Sequence, residues 1–443
     1  MKHYIAGLLI IGYILAFSIT AAYAWNPIKD YSIIVKDEVE FLVGVAGEDT
    51  PRIVYSNSTN TVIIDPFRSQ KKTIRGFIPL TTCSLNNNIA IAGSYLGKKA
   101  VLLDYGDSQE ILQYSVSSQP RSCDYNNETR LLAVLNTDPV ATRILLVVNL
   151  ENNQAKGYII PYNLSNPRFV KVSPQGIIIG GDNSWLTMNP DNDTYKLVRY
   201  QTPNNIWIHF YGATLIKGHI LLYGALENQT SLIKSNYTGF ILDPHDQTMY
   251  LLKWKSSQTI VHALYPVYDG NLLRMILEVK GKSLQIVDLD PDTLTVKGAT
   301  RLSILAPYIF DKAGALVDKG WLSIRMYIAE NLTRMIYVIE SRNTGAVGYN
   351  DSETYVLTLI AKPPTIEKTI PYTGTQTQEG SLKLSLSGLE LSKFIGNTTI
   401  ETSDSYIVLA YVDKTIVASS LFAVLTAYLL PVYYAIKRYM NNT

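Results

Sequence analysis

The sequence predicts an all-β fold, a β-propeller with seven blades and possibly eight. Its first marker is a short apolar run that ends in a carboxylate or an amide and recurs seven times. A second marker is a turn rich in Asn and Gly, and a third is the four-strand pattern within one repeat. Self-similarity at a period of roughly 40–50 residues is typical of repeat architectures. The run-ending residues are Asp65, Asp104, Asn149, Asn189, Asp243, Asp288 and Glu340, separated by 39, 45, 40, 54, 45 and 52 residues.

The recurring turn precedes the second strand of each predicted blade. Asn and Gly dominate it because hairpin turns require positive φ, which costs these residues least. The turn occupies residues 86–88, 126–128, 173–176, 217–218, 268–270 and 318–320. The run-ending carboxylates and amides are expected to cap the turn that follows them by accepting backbone N–H bonds.

The repeat at residues 167–203 shows the internal order of one blade. Strands are predicted at 168–172, 177–180, 185–188 and 195–200, joined by tight turns. Four short antiparallel strands make one propeller blade. Blade one then covers about 38–80, and later blades begin near Thr81, Gln119, Pro167, Asn205, Thr259 and Leu305.

Two segments compete to close the ring. A closed propeller usually takes one strand from the far terminus. Residues 31–35 could supply the outer strand of blade seven, whereas residues 355–360 could complete that blade or begin an eighth.

Some of these residues resemble a known group of repeats. Residues 170–176, Val-Lys-Val-Ser-Pro-Gln-Gly, resemble the strand and turn that open blades in WD-repeat and YVTN-type propellers, and residues 284–288, Leu-Gln-Ile-Val-Asp, resemble the YVTN third strand. The resemblance covers roughly residues 35–361, but no Trp-Asp dipeptide ends any blade. It implies a surface protein similar to the propellers of archaeal surface-layer proteins, with the strand before each Asn/Gly turn innermost.

The two ends of the chain predict a membrane-anchored ectodomain. Residues 1–24 have a basic start, an apolar run and the small-x-small site Ala22-Tyr23-Ala24 of a signal peptide. Residues 414–436 contain an uncharged stretch of transmembrane length, and Lys437 and Arg438 place the tail 437–443 in the cytoplasm. The propeller is expected at 25–362, and residues 363–413 are expected to form a membrane-proximal linker and small β stalk.

An extracellular location would also explain the glycosylation sequons and the two cysteines. Cys83 and Cys123 each lie three residues before an Asn-Asn turn, hence at equivalent positions of adjacent blades. They are a disulfide candidate, with two buried free thiols as the alternative. The sequon asparagines, more numerous than chance predicts, are Asn57, Asn127, Asn163, Asn192, Asn228, Asn236, Asn331, Asn350 and Asn397.

Catalytic, metal and cofactor motifs are not evident. His209, His219, His245 and His262 cluster in and beside blade five but lack metal-ligand spacing. Residues 288–292 alternate carboxylates as at the start of a calcium loop, yet lack its later Gly and Glu, so a hairpin turn is favoured. We therefore assign no catalytic, cofactor or metal residue from the sequence.

Composition and location leave two classes of function. Lys and Arg total 39 against 37 Asp and Glu, so no basic excess indicates nucleic acid as a partner. The main expectation is a non-catalytic binding or scaffold module at the cell surface, for a protein, glycan or envelope ligand. The alternative is an extracytoplasmic propeller enzyme, a hydrolase or lyase acting on sugars or peptides at the propeller axis. Three or more Asp, Glu, His or Arg side chains within one pocket would favour the enzyme, and their absence would count against it.

Overall fold

The computed structural model is all-β and has the repeated antiparallel sheets of a β-propeller. It describes residues 23–27, 29–30, 41–47, 52–57, 59–65, 70–138, 142–231, 234–253, 261–268, 270–279, 283–305, 322–328, 335–341, 345–346, 355–360, 365–369, 375–394, 398–402 and 410–412.

Two short N-terminal strands precede the repeats, and six four-stranded blades follow. In chain order, the strands are β1 (Tyr23–Pro27) and β2 (Lys29–Asp30); blade one, β3 (Phe41–Ala46), β4 (Arg52–Asn57), β5 (Asn60–Asp65) and β6 (Gln70–Arg75); blade two, β7 (Phe77–Leu85), β8 (Asn88–Tyr95), β9 (Lys98–Asp104) and β10 (Gln109–Tyr114); and blade three, β11 (Gln119–Asn126), β12 (Leu131–Thr137), β13 (Ile144–Asn149) and β14 (Gln154–Ile159). They continue with blade four, β15 (Ser165–Ser173), β16 (Gly176–Asp182), β17 (Ser184–Asn189) and β18 (Thr194–Arg199); blade five, β19 (Ile206–Ile216), β20 (His219–Ser231), β21 (Lys234–Asp243) and β22 (Thr248–Lys253); and blade six, β23 (Val261–Tyr268), β24 (Leu273–Val279), β25 (Ser283–Leu289) and β26 (Val296–Leu305).

The remaining strands lie beyond blade six. They are β27 (Leu322–Ile328), β28 (Met335–Ser341), β29 (Gly345–Ala346), β30 (Tyr355–Ile360), β31 (Thr365–Thr369), β32 (Gln376–Ser381), β33 (Lys383–Glu390), β34 (Ser392–Lys393), β35 (Thr398–Thr402) and β36 (Ala410–Val412). Strands β27, β28 and β29 form a separate sheet in the region predicted as blade seven, and β2 pairs with β36. The described residues thus contain six complete blades, and the prediction of seven or eight rests partly on residues outside them.

The first strand of each blade is innermost, as the resemblance to known repeats implied. Strands β3, β7, β11, β15, β19 and β23 contact one another in that order around the ring. The middle strands are continuously apolar because they are buried on both faces between neighbouring blades; β16, for example, is buried along its whole length. Five apolar clusters fill the spaces between successive blades one to six.

The C-terminal segment forms a belt around the outside of the propeller. Strand β30 pairs with the last strand of blade six, and β31, β32, β33, β34 and β35 pair with the last strands of blades five, four, three, two and one. The chain therefore returns along the ring in reverse order and gives each blade a fifth strand. These pairings cover backbone edges that would otherwise be open to other chains.

The belt corrects two expectations from the sequence. Residues 355–360 extend blade six and neither complete blade seven nor begin an eighth. Strands β31 to β35, in the segment 363–413 expected to form a stalk, pair with the blades, because their N–H and C=O groups bond to the free edges of the outermost strands. Strand β36 of the same segment pairs with β2. The competing segment 31–35 lies outside the described residues.

The predicted membrane signals fall where the structure gives no description. Residues 1–22 of the predicted signal peptide, the predicted transmembrane segment 414–436 and the tail 437–443 lie outside the described residues. Among the residues that are described, no helix is long and apolar enough to span a membrane.

Candidate functional site

Four charged side chains from blades four and five form one hydrogen-bonded group, which we call the charge cluster: Arg168, Asp182, His209 and Glu227. The imidazole of His209 lies between two carboxylates, with Nδ1 2.7 Å from Asp182 Oδ1 and Nε2 2.7 Å from Glu227 Oε2. The guanidinium Nε of Arg168 donates to Asp182 Oδ1 at 2.9 Å. The cluster lies on the face of the propeller where first strands begin and second strands end, which we call the upper face.

Backbone pairing between two blades fixes this geometry. Asp182 is the last residue of β16 and His209 is near the start of β19, and the two are direct register partners. Between them, Asn183 donates its N–H to Ile208 O at 2.7 Å, and its side-chain oxygen accepts the N–H of Ile208 at 2.7 Å. Among the described strands this is the one pairing that joins two blades, so Asp182 and His209 are held as one rigid unit.

Two glycines permit the close packing of strands around the charge cluster. A Cβ atom at Gly181 would lie 2.0 Å from the carbonyl oxygen of Ser165, which belongs to the strand that carries Arg168. A Cβ atom at Gly224 would lie 1.9 Å from the carbonyl oxygen of His209 itself. Larger residues at either position would displace the strands that bring the charged groups together.

The surroundings of the imidazole favour its protonated form. Burial opposes charge on His209, but the hydrogen bonds to Asp182 and Glu227 outweigh it and raise the pKa of the imidazole. Burial likewise opposes charge on Asp182, whereas hydrogen bonds from His209, Arg168 and Asn166 lower the pKa of this carboxyl group. The cluster therefore holds the imidazole between two carboxylates, with the guanidinium of Arg168 beside them.

Aromatic rings complete the walls of the charge cluster. The ring of Tyr211 is stacked with that of His209 at 6.4 Å between centroids, and Tyr237 lies at 6.5 Å. The guanidinium of Arg168 lies over the Tyr211 ring, 5.8 Å from its centroid. These rings reduce the access of water to the cluster and so strengthen its electrostatic interactions.

A cleft of about 540 Å³ opens beside the cluster, between blades three and four. The side chains around it are Gln119, Arg121, Thr137, Asp138, Arg143 and Asn166, together with Pro120, Ser165 and Pro167. We call this space the arginine cleft, because two of its charged groups are guanidinium groups and one is a carboxylate.

Hydrogen bonds connect the arginine cleft to the charge cluster. Arg121 Nη1 donates to Asn166 Oδ1 at 3.1 Å, and Asn166 Nδ2 donates to Asp182 Oδ2 at 2.8 Å. Burial and then the nearby charge of Arg168 lower the pKa of Arg121, and the charge of Asp182 opposes this shift. A ligand in the cleft would thus lie next to the Asp182–His209–Glu227 row.

A second ionic contact joins the innermost strands of blades three and four. Lys171 Nζ donates to Asp124 Oδ1 at 3.0 Å, and the backbone N–H of Val172 donates to Asp124 Oδ2 at 2.7 Å. Burial raises the pKa of Asp124, and Lys171 and the Val172 bond oppose this rise. This pair fixes the relative positions of β11 and β15, which carry Arg121 and Arg168.

The structure confirms the predicted disulfide. Cys83 of β7 and Cys123 of β11 are bonded, with Cα atoms 5.7 Å apart. The alternative of two free thiols is excluded for this pair. The bridge connects the innermost strands of blades two and three, whereas the charge cluster lies in blades four and five.

The described sequon asparagines are exposed wherever their burial is defined, namely at Asn127, Asn163, Asn192, Asn228 and Asn236. The burial of Asn57 is not described, and Asn331, Asn350 and Asn397 lie outside the described residues. Glycosylation of these residues stays a prediction.

The structure separates the histidines that the sequence grouped. Among the histidines whose side chains are described, His209 joins the charge cluster, whereas His219 and His245 are exposed. The side chain of His262, in β23, is outside this description. His245 lies in the turn after β21, where its N–H donates to Asp243 Oδ1 at 2.8 Å. Within the described residues, no group of three His, Cys, Asp or Glu side chains is arranged to hold a metal ion.

The run-ending residues fall into two groups. Asn149, Asn189 and Asp243 cap the following turns through backbone N–H bonds, as predicted. Asp104 instead contacts Arg52 and Lys72 in a buried ionic group between blades one and two, and Asp288 accepts a bond from Arg274. In the region considered as a calcium loop, Asp290 Oδ1 accepts the N–H groups of Asp292 and Thr293, which is the predicted turn.

No family model and no curated protein sequence matches this chain. Among solved structures, the chain is similar to the periplasmic gluconolactonase of Pseudomonas aeruginosa, at 11% identity and a TM-score of 0.30, over 77% of this chain and 100% of that one. It is also similar to a putative 6-phosphogluconolactonase of Bacteroides fragilis NCTC 9343, at 13% identity and a TM-score of 0.26, over 62% of this chain and 93% of that one. The comparisons show no link to a named repeat family or to surface-layer proteins.

The expectation of a non-catalytic binding or scaffold module is corrected by the geometry of this face. Arg121, Asp138 and Arg143 line one cleft, which meets the condition that favours the enzymatic alternative over the scaffold. Beside the cleft, the charge cluster brings four more charged side chains together. The sequence did not reveal this cluster because its members come from four different strands and share no short motif.

Proposed function

We propose that this protein is a propeller enzyme, a hydrolase or lyase whose site is formed by the charge cluster and the arginine cleft on the upper face. The single observation that carries the proposal is the row Asp182–His209–Glu227, in which both imidazole nitrogens lie 2.7 Å from a carboxylate oxygen. A titratable row of this kind, partly buried and beside a cleft, is a candidate for proton transfer.

The residues of the row can take distinct roles. Glu227 is the more exposed carboxylate, with 19% of its side chain accessible against 12% for Asp182, so it is the better placed to accept a proton from a water or a substrate. His209, bonded to both carboxylates, holds Glu227 in position, and Asp182, held by Arg168 and Asn166, orients the imidazole and stabilises its charge. The guanidinium of Arg121 would stabilise negative charge that develops on a substrate oxygen.

The direct test is a turnover screen of the purified full-length chain against sugar lactones, carboxylic esters and uronic-acid glycosides. We expect turnover in at least one class, and we expect Glu227→Gln and His209→Gln to lower kcat about 10²–10⁴-fold. His219→Gln, which changes an exposed histidine of the same blade, is the matched control and should keep full activity. Activity that survives Glu227→Gln unchanged, or no turnover in any class, would contradict the proposal.

The cellular setting that we propose rests on the sequence. A signal peptide at 1–24, a transmembrane helix at 414–436 and nine sequons support an extracytoplasmic enzyme tethered to the membrane. The five sequon asparagines whose side chains are exposed support the same assignment. Protease protection of a C-terminal tag in sealed cells, with glycosidase treatment of the ectodomain, tests it; a tag that is digested from outside would overturn the proposed orientation.

A further inference from the structure

We infer that the arginine cleft binds an acidic saccharide, that is, a sugar bearing a carboxylate or a phosphate, and so defines the substrate class. This inference rests on the proposed function and extends it. It is carried by the charge balance of the cleft, by its neutral polar groups and by the aromatic side chains on the same face.

The cleft has an excess of positive charge, because its lining contains two guanidinium groups and one carboxylate. Arg121 and Arg143 both line it, and neither has a carboxylate within 4.0 Å among the described residues. Arg121 donates to the amide oxygen of Asn166, and Arg143 donates to the backbone oxygen of Leu164. Since Asp138 is the one carboxylate among the lining residues, the cleft can accept a further negative charge.

Guanidinium groups indicate the chemistry of that charge. Arg has donors in a planar fork that match the oxygens of a carboxylate or a phosphate. With one bond of each group fixed to an internal acceptor, Arg121 and Arg143 are oriented, and their other donors stay available to a ligand. Orientation before binding lowers the entropy cost of forming these bonds.

Neutral polar and aromatic groups favour a sugar as the carrier of the charge. Thr137, Ser165 and Asn166 can exchange hydrogen bonds with hydroxyl groups. Tyr162, next to the cleft in the loop before β15, is 72% exposed and has the Arg143 guanidinium 6.0 Å from its ring centroid. An exposed aromatic ring held in place in this way offers a flat apolar surface to the C–H face of a sugar ring.

Exposed apolar residues are concentrated on the upper face. Trp207, at the start of β19, is 41% exposed and lies one blade further along. Of the five large hydrophobic side chains that are exposed in the described residues, Leu384 lies on the belt, and the four on the upper face are Ile78, Leu96, Tyr162 and Trp207. This distribution extends the binding surface beyond the cleft and fits an oligosaccharide better than a single small anion.

The inference is tested by calorimetric binding to the full-length chain, with glucuronate-terminated oligosaccharide, its neutral glucose counterpart and glucose 6-phosphate as probes. We expect an acidic sugar to bind at least tenfold more tightly than the neutral one. Arg121→Gln and Arg143→Gln should each weaken that binding about tenfold, as expected when a hydrogen bond to a charged group is lost. Arg199→Gln, at an exposed arginine of β18, is the matched control and should change nothing.

The probes and variants separate the possible outcomes. Preference for the glucuronate or for the phosphate probe identifies the source of the charge, and both support the inference. Equal binding of acidic and neutral sugars, or unchanged binding by the Arg121→Gln/Arg143→Gln double variant, overturns it. Arg121→Lys and Arg143→Lys keep the charge but lose the planar fork, so folded lysine variants with intermediate affinity provide the same test if a glutamine variant does not fold.

Binding and turnover distinguish this inference from the proposed function. If the chain binds acidic sugars without converting them, the inference is supported and the proposed enzymatic function is refuted. If the chain converts neutral substrates and substitution of the two arginines does not change its activity, the proposed function is supported and the inference is refuted.

Discussion

Asp182 and His209 are joined twice, through the backbone pairing of β16 with β19 and through a 2.7 Å contact between Oδ1 and Nδ1. The same pairing links the sheets of blades four and five. The candidate site is therefore held by backbone hydrogen bonds between the two blades that carry it.

Removal of the imidazole should destabilise the fold. His209→Gln removes the imidazole that contacts both Asp182 and Glu227 in a largely buried setting, and we expect a loss of about 2–4 kcal/mol in the free energy of unfolding. His219→Gln, at an exposed position, should change it by less than about 0.5 kcal/mol. Urea unfolding followed by tryptophan fluorescence measures both, and equal midpoints for the two variants would contradict the prediction.

The contribution of His209 to stability should depend on pH. Because the folded pKa of His209 is raised above 6.5, its contribution is complete below that value and is lost as pH rises through the folded pKa. Because the folded pKa of Asp182 is lowered below 3.8, its contribution is present above that value and is lost as pH falls through the folded pKa.

The opposite pH dependences of the His209 and Asp182 contributions define the pH range in which the effect of His209→Gln on stability should be measured. The stability difference between the wild type and His209→Gln should be largest between about pH 4 and 6.5 and should shrink in alkaline solution. Unfolding experiments at pH 5, 7 and 9.5 check this. A difference that is constant across the series would show that the imidazole acts through packing alone.

The disulfide should stabilise the inner ring of the propeller. Replacement of Cys83 and Cys123 together by Ser should cost about 3–4 kcal/mol, since the bridge closes a loop between residues 40 positions apart. Thermal unfolding with and without reductant measures the effect. Wild type and double variant should have the same stability under reducing conditions, and a persistent difference would indicate that the serines disturb the strands themselves.

The belt should contribute to the stability of the blades that it covers. Leu382, between β32 and β33, is buried with Tyr158 and Leu197, so Leu382→Ala should cost about 2–4 kcal/mol. Leu384→Ala, two residues further on and 42% exposed, is the matched control and should cost less than about 0.5 kcal/mol.

Limited proteolysis provides a second measurement for the belt. Loosening of the Leu382 contact should increase cleavage within residues 375–394, while the control variant should be cut like the wild type. If neither variant affects stability or cleavage, the belt packs without supporting the blades.

Sequence periodicity determined the β-propeller class and the order of strands within a blade, which follow from local rules, namely alternation, turn chemistry and repetition. The inner position of each first strand was implied by the resemblance to known repeats. Equivalent positions in adjacent repeats also predicted the Cys83–Cys123 bridge.

Tertiary structure alone decided the course of the belt and the composition of the site. The outer edge of every blade offers the same backbone groups, so the sequence cannot indicate which edge a C-terminal strand will cover. Likewise Arg168, Asp182, His209 and Glu227 lie on four strands of two blades, and only the pairing of β16 with β19 brings them within hydrogen-bonding distance. The spacing of residues along the chain does not predict that pairing, because contacts between blades depend on how whole sheets pack and not on any local pattern.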